Sequence, residues 1–350
     1  QYVYDTDNRI IKKKIPGKDW EYVVYDQLDR PILSQDGLLR SQGKWLFVKY
    51  DVLGRIIYNG IYATTSDQTT LQNLFNEKLA NGDAKYPLYD TKINTPINID
   101  GKDLYYSNSA LPNTGLQLLV INYYDNYAFD LDELTVPTSV YGASVTTQLT
   151  GMLTGKKVRV IENIPTTSWN TTITAYDNRA RNVYTSVQNR YIGYTQQNEL
   201  KLNFIGNATE TKSTHKNGTA TPIVVIDQHS YDAAGRETGH GEIVNSQATE
   251  RIGTFSYNEL SQLITKYVGN STATSTTLQQ INYQYNIRGW LKQVNDPATT
   301  LSTTPGVDLF AYKLNYNTTT LAGSKAMYNV NISEHTWKTA SDNLSRSYNY

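Results

Sequence analysis

Apolar and polar positions alternate with a period of two along much of the chain, the spacing of a β-strand. The clearest segments are Trp20 to Tyr25, Lys44 to Tyr50, Gly54 to Tyr58, Lys156 to Ile161 and Gln279 to Tyr285. In the run Trp45-Leu46-Phe47-Val48-Lys49-Tyr50 both faces carry large side chains, so both are expected to be covered. Tyr283 and Tyr285, and Tyr348 and Tyr350, form period-two tyrosine pairs suited to cross-strand packing. Helical spacing shows best once. Ser66 and Asp67 are N-cap candidates, Leu71, Leu74, Phe75 and Leu79 share a face, and Gly82 follows the end. This predicts a helix over about 66–81.

A short pattern punctuates the strands: Tyr, Asp or Asn, two variable residues, a turn-tolerant residue, then often Arg. Copies start at Tyr4, Tyr25, Tyr50, Tyr176 and Tyr231, with looser ones at Tyr257 and Tyr285. Asp or Asn suits the first position of a type I turn, where its side chain accepts from backbone N–H groups ahead. A type I turn followed by a left-handed residue closes a hairpin with a bulge. Asp26, Asp51, Asp232 and Asn286 would open such turns. Gly54, Gly235 and Gly289 would take the left-handed position, and Arg30, Arg55 and Arg236 would begin the return strands. Asn8 and Asp29 are the next best left-handed residues, whereas Ala180 and Ser261 fit less well and predict turns that deviate.

The repeats divide the chain. Residues 1–60 and 171–350 read as hairpin regions, the second continuing beyond the C-terminus. Residues 61–170 read as a loop-rich insertion carrying the helix, with Pro87, Pro96, Pro112 and Pro137 among many Asn and Thr. Thr299 to Gly306 reads as a loop, and Asn270 to Thr277 as an exposed hairpin tip. The chain begins at Gln1 without Met and ends inside a strand-like pattern, which suggests a piece of a longer protein.

Composition fits this picture. There are 29 Tyr, 43 Thr and 32 Asn, a strand-and-turn mixture, and 18% charged residues. Thirty-two basic residues balance thirty-two acidic ones, which argues against a nucleic-acid binder or a polybasic membrane anchor. No apolar run approaches the ~20 residues of a membrane-spanning helix. Without Cys there are no disulfides, Cys-ligated zinc, iron–sulfur clusters or thiol nucleophile.

Candidate chemistry is sparse. His215, His229, His240 and His335 are far apart, with no H-x-x-x-H pair, and Gly239-His240-Gly241-Glu242 reads as a loop; structural or surface roles are expected, with no metal site. No Walker A loop, no G-x-S-x-G elbow and no G-x-G-x-x-G after a strand is present. No catalytic residue and no cofactor is expected. The repeat carboxylates read as turn closures, although Asp5-Thr6-Asp7-Asn8 has a calcium-loop flavour without the later ligands. Exposed tyrosines also admit sugar stacking, against which ladder packing is favoured because the Tyr positions follow the repeats. Asn-x-Ser/Thr triplets, as at Asn170, Asn217 and Asn317, are expected by chance in this composition.

With these repeats, the chain resembles an RHS-repeat (YD-repeat) protein of the Bacteroidota type. The phrases carrying the resemblance include Tyr25-Asp26-Gln27-Leu28-Asp29-Arg30-Pro31, Gly43-Lys44-Trp45-Leu46-Phe47, Tyr285-Asn286-Ile287-Arg288-Gly289-Trp290-Leu291 and Asn331-Ile332-Ser333-Glu334-His335-Thr336-Trp337. It covers nearly the whole chain. The resemblance implies a mainly β fold, antiparallel hairpins wound into a spiral shell wall. It implies a non-enzymatic segment of a large exported protein, at the cell surface or secreted, enclosing a cargo or toxin domain of its own chain. The family's self-cleavage aspartates have no match here. The alternative is a surface adhesin, or cargo or accessory of a type IX secretion or gliding machine. It would meet an outer-membrane secretion or surface complex through 61–170.

Overall fold

In a computed structural model the structure describes residues 1–161, 168–269 and 277–350. Most of the hairpin tip expected over 270–277 therefore lies outside the described residues. The fold is mainly antiparallel β and divides into two compact units, Gln1–Gln197 with Lys216–Thr221, and Asn198–His215 with Pro222–Tyr350.

The first unit contains β1 (Tyr2–Tyr4), β2 (Ile10–Lys13), β3 (Glu21–Tyr25), β4 (Pro31–Gln35), β5 (Lys44–Tyr50) and β6 (Ile56–Ala63). It continues with β7 (Lys92–Ile99), β8 (Lys102–Tyr106), β9 (Leu116–Tyr124), β10 (Ser139–Val140), β11 (Ala143–Ser144), β12 (Leu153–Arg159), β13 (Trp169–Tyr176) and β14 (Asn182–Asn189). Strands β1 to β6 pair antiparallel in chain order, and the ladder continues through β9, β12, β13 and β14. Two strands of the 61–170 stretch are thus rungs of this sheet, while β7–β8 and β10–β11 form separate ribbons.

The rest of that stretch covers one face of the sheet. Trp45, Phe47, Ile57, Tyr58, Leu118, Ile121 and Tyr123 from the sheet are fully buried, with Leu104 and Tyr106 from β8. The rings of Tyr106, Tyr123 and Phe129 stack in sequence, at 5.5 and 4.1 Å between centroids. Phe129 lies so close to Gly155 of β12 that a Cβ there would come 2.1 Å from its ring, so only glycine fits.

The helix is shorter than its spacing predicts. Helix α2 runs Gln68–Phe75, capped by the Asp67 side chain on Thr70 N–H, and stops at Asn76. Leu79 lies outside it and is half exposed, because the chain turns at Leu79–Gly82. A one-turn helix α1 (Gly37–Ser41), capped by Asp36, precedes it and has no apolar periodicity to announce it. Helix α2 is fastened to strand edges by its glutamines. Gln72 accepts from Tyr25 N–H at 2.9 Å and donates to Tyr25 C=O at 2.8 Å, as a neighbouring strand would. Gln68 donates to the carbonyls of Ile11 and Val23.

Strand β15 (Tyr194–Leu202) straddles the boundary between the units. The other strands are β16 (Ala208–Asn217), β17 (Ile223–Tyr231), β18 (Glu237–Val244), β19 (Glu250–Tyr257), β20 (Leu263–Val268), β21 (Gln279–Tyr285), β22 (Leu291–Val294), β23 (Phe310–Asn315), β24 (Glu334–Thr339) and β25 (Arg346–Asn349). From β16 onward each pairs antiparallel with the next. This unit has little core: among its described residues the buried hydrophobics are Val294, Leu301 and Ala311. Strands such as β18, in which Glu237-Thr238-Gly239-His240-Gly241-Glu242 precede its only large apolar residues, Ile243 and Val244, have too little apolar surface to build one. Gly239 to Glu242 is therefore strand, not the loop its glycines suggest. No helix among the described residues is long and apolar enough to cross a membrane.

Candidate functional site

The sequence-predicted residues fall at the ends of hairpins, and each hairpin is closed in the same way. In the turn opened by Asp51, Oδ1 accepts from the N–H groups of Leu53 and Arg55, both at 2.9 Å. Its Oδ2 accepts from Arg55 Nε at 2.6 Å. Backbone bonds run from Asp51 N–H to Arg55 C=O and from Gly54 N–H to Asp51 C=O, both 3.0 Å. Asp26 with Arg30, and Asp232 with Arg236, repeat the set within about two tenths of an ångström, and Asp5 and Asp177 repeat it again. Asn286 keeps the backbone part, accepting from Arg288 and Trp290 N–H. Arg30, Arg55 and Arg236 stand one residue before β4, β6 and β18 and turn back onto the carboxylate.

Gly54, Gly235 and Gly289 have φ of +75°, +77° and +79°. Ala180 and Ser261 both have φ of +62° and belong to the same turn, so the deviation expected there is absent. The side-chain clamp on two backbone N–H groups, added to the turn's own backbone bonds, holds even an unfavourable residue left-handed.

Each turn is followed by a bulge. Lys49 pairs with Tyr58 but Tyr50 with Ile56, leaving Ile57 extra. A bulge can turn two consecutive side chains to one face. This breaks the period-two pattern and gives the adjacent buried pairs Ile32-Leu33, Ile57-Tyr58 and Val183-Tyr184.

The bond between repeats has no local signature in the sequence. The repeat tyrosine donates its hydroxyl to the carbonyl just after the previous turn. Tyr25 reaches Ile10 at 2.8 Å, Tyr50 reaches Pro31 at 2.8 Å, and Tyr124 reaches Ile56 at 3.1 Å. Tyr176, Tyr231, Tyr257, Tyr285 and Tyr316 reach Leu153, Ala208, Glu237, Leu263 and Leu291 in the same way. The previous turn's arginine lies over the same ring. Arg9, Arg30, Arg55 and Arg236 sit 4.4–4.9 Å from the centroids of Tyr25, Tyr50, Tyr124 and Tyr257. Trp290 takes the arginine's place over Tyr316, at 5.2 Å. Recurrence of Tyr beside Asp was the available signal, but its partner lies a whole repeat away.

Two turns escaped the pattern. Asn203 closes a turn to Asn207, accepting from Gly206 and Asn207 N–H at 2.9 Å, but Leu202 replaces the tyrosine. Tyr124-Asp125 opens a turn enlarged by 23 residues, in which Asp125 N–H donates to Met152 C=O, 27 positions on instead of four. Asp125 also receives both outer nitrogens of Arg55, at 2.8 and 2.6 Å.

The electrostatics follow from this geometry. The Asp232 carboxyl is held below its usual range by the Arg236 N–H and guanidinium. For Asp5 and Asp177 burial pushes up, but the arginine and backbone bonds outweigh it and the carboxyl falls. Hydrogen bonding to Asp125 raises the Arg55 guanidinium further. These are stable ion pairs with no group poised near neutrality. The buried Lys49 differs: desolvation lowers it to about 8 despite Asp90, 3.1 Å away. It also donates to Asn108 and the Ala110 carbonyl, which pins the covering segment to β5. Lys49 and Asp90 are both buried away from solvent, and the cluster reads as a buried tether.

No family model matches the chain, and no curated protein matches it. Among solved structures it is similar to a crystal structure of TcdB2-TccC3, at 12% identity and a TM-score of 0.39, over 99% of this chain and 17% of that one. TcdB2-TccC3-TEV gives 11% and 0.40, over 99% and 16%. A Photorhabdus luminescens Tc holotoxin pore gives 11% and 0.35, over 99% and 16%. The chain thus spans about a sixth of the length of these proteins.

Proposed function

We propose that this chain is a non-enzymatic length of β-wall in a larger exported RHS-type shell that encloses a domain of its own protein. The observation that carries this reading is the lock between repeats. Eight tyrosine hydroxyls tie one hairpin to the one before it in the sheet, so the sheet extends by contacts between neighbouring rungs. Such a ribbon extends without a central core, which the sparse core of the second unit requires. Asp26, Asp51, Asp232 and Asn286, with Arg30, Arg55 and Arg236, and with Gly54, Gly235 and Gly289 at the left-handed positions, act as fasteners of the wall. The carboxylates of Asp26, Asp51 and Asp232 each accept from two backbone N–H groups and a guanidinium, which favours a turn-closing role over a catalytic one.

Cryo-electron microscopy of the protein encoded by the full-length gene tests the reading. The expected result is a closed wall containing residues 1–350 around separate density for an enclosed domain. An open sheet with nothing enclosed, and with 61–170 facing a partner, overturns it in favour of a surface adhesin or secretion accessory.

A further inference from the structure

We propose that β17 and β18 carry a zinc-class divalent-metal site, with His229, Glu237 and His240 as ligands and Asp227 positioning His240. This is independent of the shell reading. His229 and His240 are direct partners across the two strands. Their rings lie 4.5 Å apart between centroids and are inclined by 27°. The register shift between Ser230 and Tyr231 places Glu237 beside this pair, with Oε1 2.6 Å from His229 Nδ1. On the other side Asp227 Oδ1 is 2.9 Å from His240 Nε2.

One donor atom each from His229, Glu237 and His240 lie within 4.8 Å of one another. A tetrahedral zinc ion with bonds of ~2.0–2.1 Å needs its ligands ~3.3 Å apart. The strand ladder already fixes the backbones, so small side-chain rotations close the difference. Two imidazoles and a carboxylate form a donor set that suits zinc, and a carboxylate on the second histidine is the usual means of orienting a ligating ring.

The acidic row beside the histidines favours added positive charge, against Arg251, the one cation among the described residues lining the cleft. Asp227 stands directly across from Glu242, and Glu242 directly across from Glu250. Like charges in opposed positions destabilise a sheet, and this row of three lies next to the histidine row. Gly253 faces His240 from β19, so no side chain at that position blocks it. Both histidines remain accessible, with about a fifth to a quarter of each side chain exposed, and a cleft of about 240 Å³ reaches them.

Titration calorimetry of the chelator-treated 350-residue chain with Zn²⁺ tests the proposal, with Co²⁺ as a spectroscopic probe. We expect one equivalent bound, a tetrahedral Co²⁺ visible spectrum and a raised melting temperature. His240→Gln and Glu237→Gln should each weaken binding at least about tenfold, the lower end of what loss of even an outer partner costs. His335→Gln, on β24, should leave it unchanged. Circular dichroism of each variant separates lost ligation from lost folding, and Glu237→Gln serves if His240→Gln does not fold. Absence of Zn²⁺ uptake by the unaltered chain, or equal affinity in folded variants, overturns the proposal and leaves two histidine–carboxylate hydrogen bonds.

Discussion

At the residue scale, one carboxylate does several jobs. Asp51 is nearly buried and satisfies two backbone N–H groups and a guanidinium. Asp51→Ala leaves those donors without their partner, and chemical denaturation should show a loss of about 2–3 kcal/mol. Position four of the turn, counted from the aspartate, needs left-handed backbone. Gly54→Val should cost more than about 1 kcal/mol from backbone strain alone, because the nearest atom to an added Cβ is Arg30 Nη1 at 4.0 Å. Ala180→Gly should act in the opposite direction and stabilise by about 0.5–1 kcal/mol, the left-handed penalty of alanine less the extra chain entropy of glycine. An unchanged midpoint in the Ala180→Gly protein would show that the strain at this turn is already relieved elsewhere.

At the element scale, hairpins are joined by side chains as well as by ladder bonds. Arg30 belongs to one turn and Tyr50 to the next, and a double-mutant cycle of Arg30→Met with Tyr50→Leu should give a coupling of about 0.5–1 kcal/mol. Additive losses would mean that the rungs do not communicate through this pair. A second fastening holds the connection between β23 and β24. Glu334, fully buried, accepts from Asn315 Nδ2, from Thr320 N–H and hydroxyl, and from Leu321 N–H, at 2.6–3.0 Å. Burial pushes its carboxyl up, but these donors outweigh it and lower it from 4.5 to about 2. A depressed carboxyl contributes stability that is complete above pH 4.5 and is lost as the pH falls through 2. Melting curves between pH 5 and 2 should fall with acid. In Glu334→Gln the fall should be shallower and the starting stability lower. A parallel pair of curves would assign the acid sensitivity to other groups.

At the scale of the whole molecule, the two units solve the same problem differently. In the first, the segments between the sheet strands fold back to bury Trp45, Phe47, Tyr58 and Tyr123. In the second, the sheet has few buried apolar side chains and depends on ladder bonds and rung contacts. Among the described residues β1 pairs only with β2, and β25 only with β24. Both carry exposed tyrosines, Tyr2 and Tyr4 on one and Tyr348 on the other. Open strand edges of this kind recruit further strands. The isolated chain should therefore associate with rising concentration, which light scattering would detect. A stable monomer at high concentration would show that these edges are shielded.

The sequence alone determined the hairpins, because their signals are local. Asp and Arg four residues apart, with glycine just before the arginine in Asp51 to Arg55 and Asp232 to Arg236, specify a turn through bonds that span only those residues. Tertiary structure decided what depends on partners distant in the chain. The helix ends at Phe75 where the chain turns away, although Leu79 continues the apolar spacing. Residues 116–124 read as part of a loop-rich stretch, yet their strand pairs with β6, some sixty residues earlier, and joins it to β12, whose alternation from Lys156 was legible. His229 and His240 are eleven positions apart and share no motif. Only the pairing register, set by the turn at Asp232 and the bulge beside it, brings their rings together. The physical reason is common to all three: turn chemistry acts over a few residues, whereas packing and register act across strands.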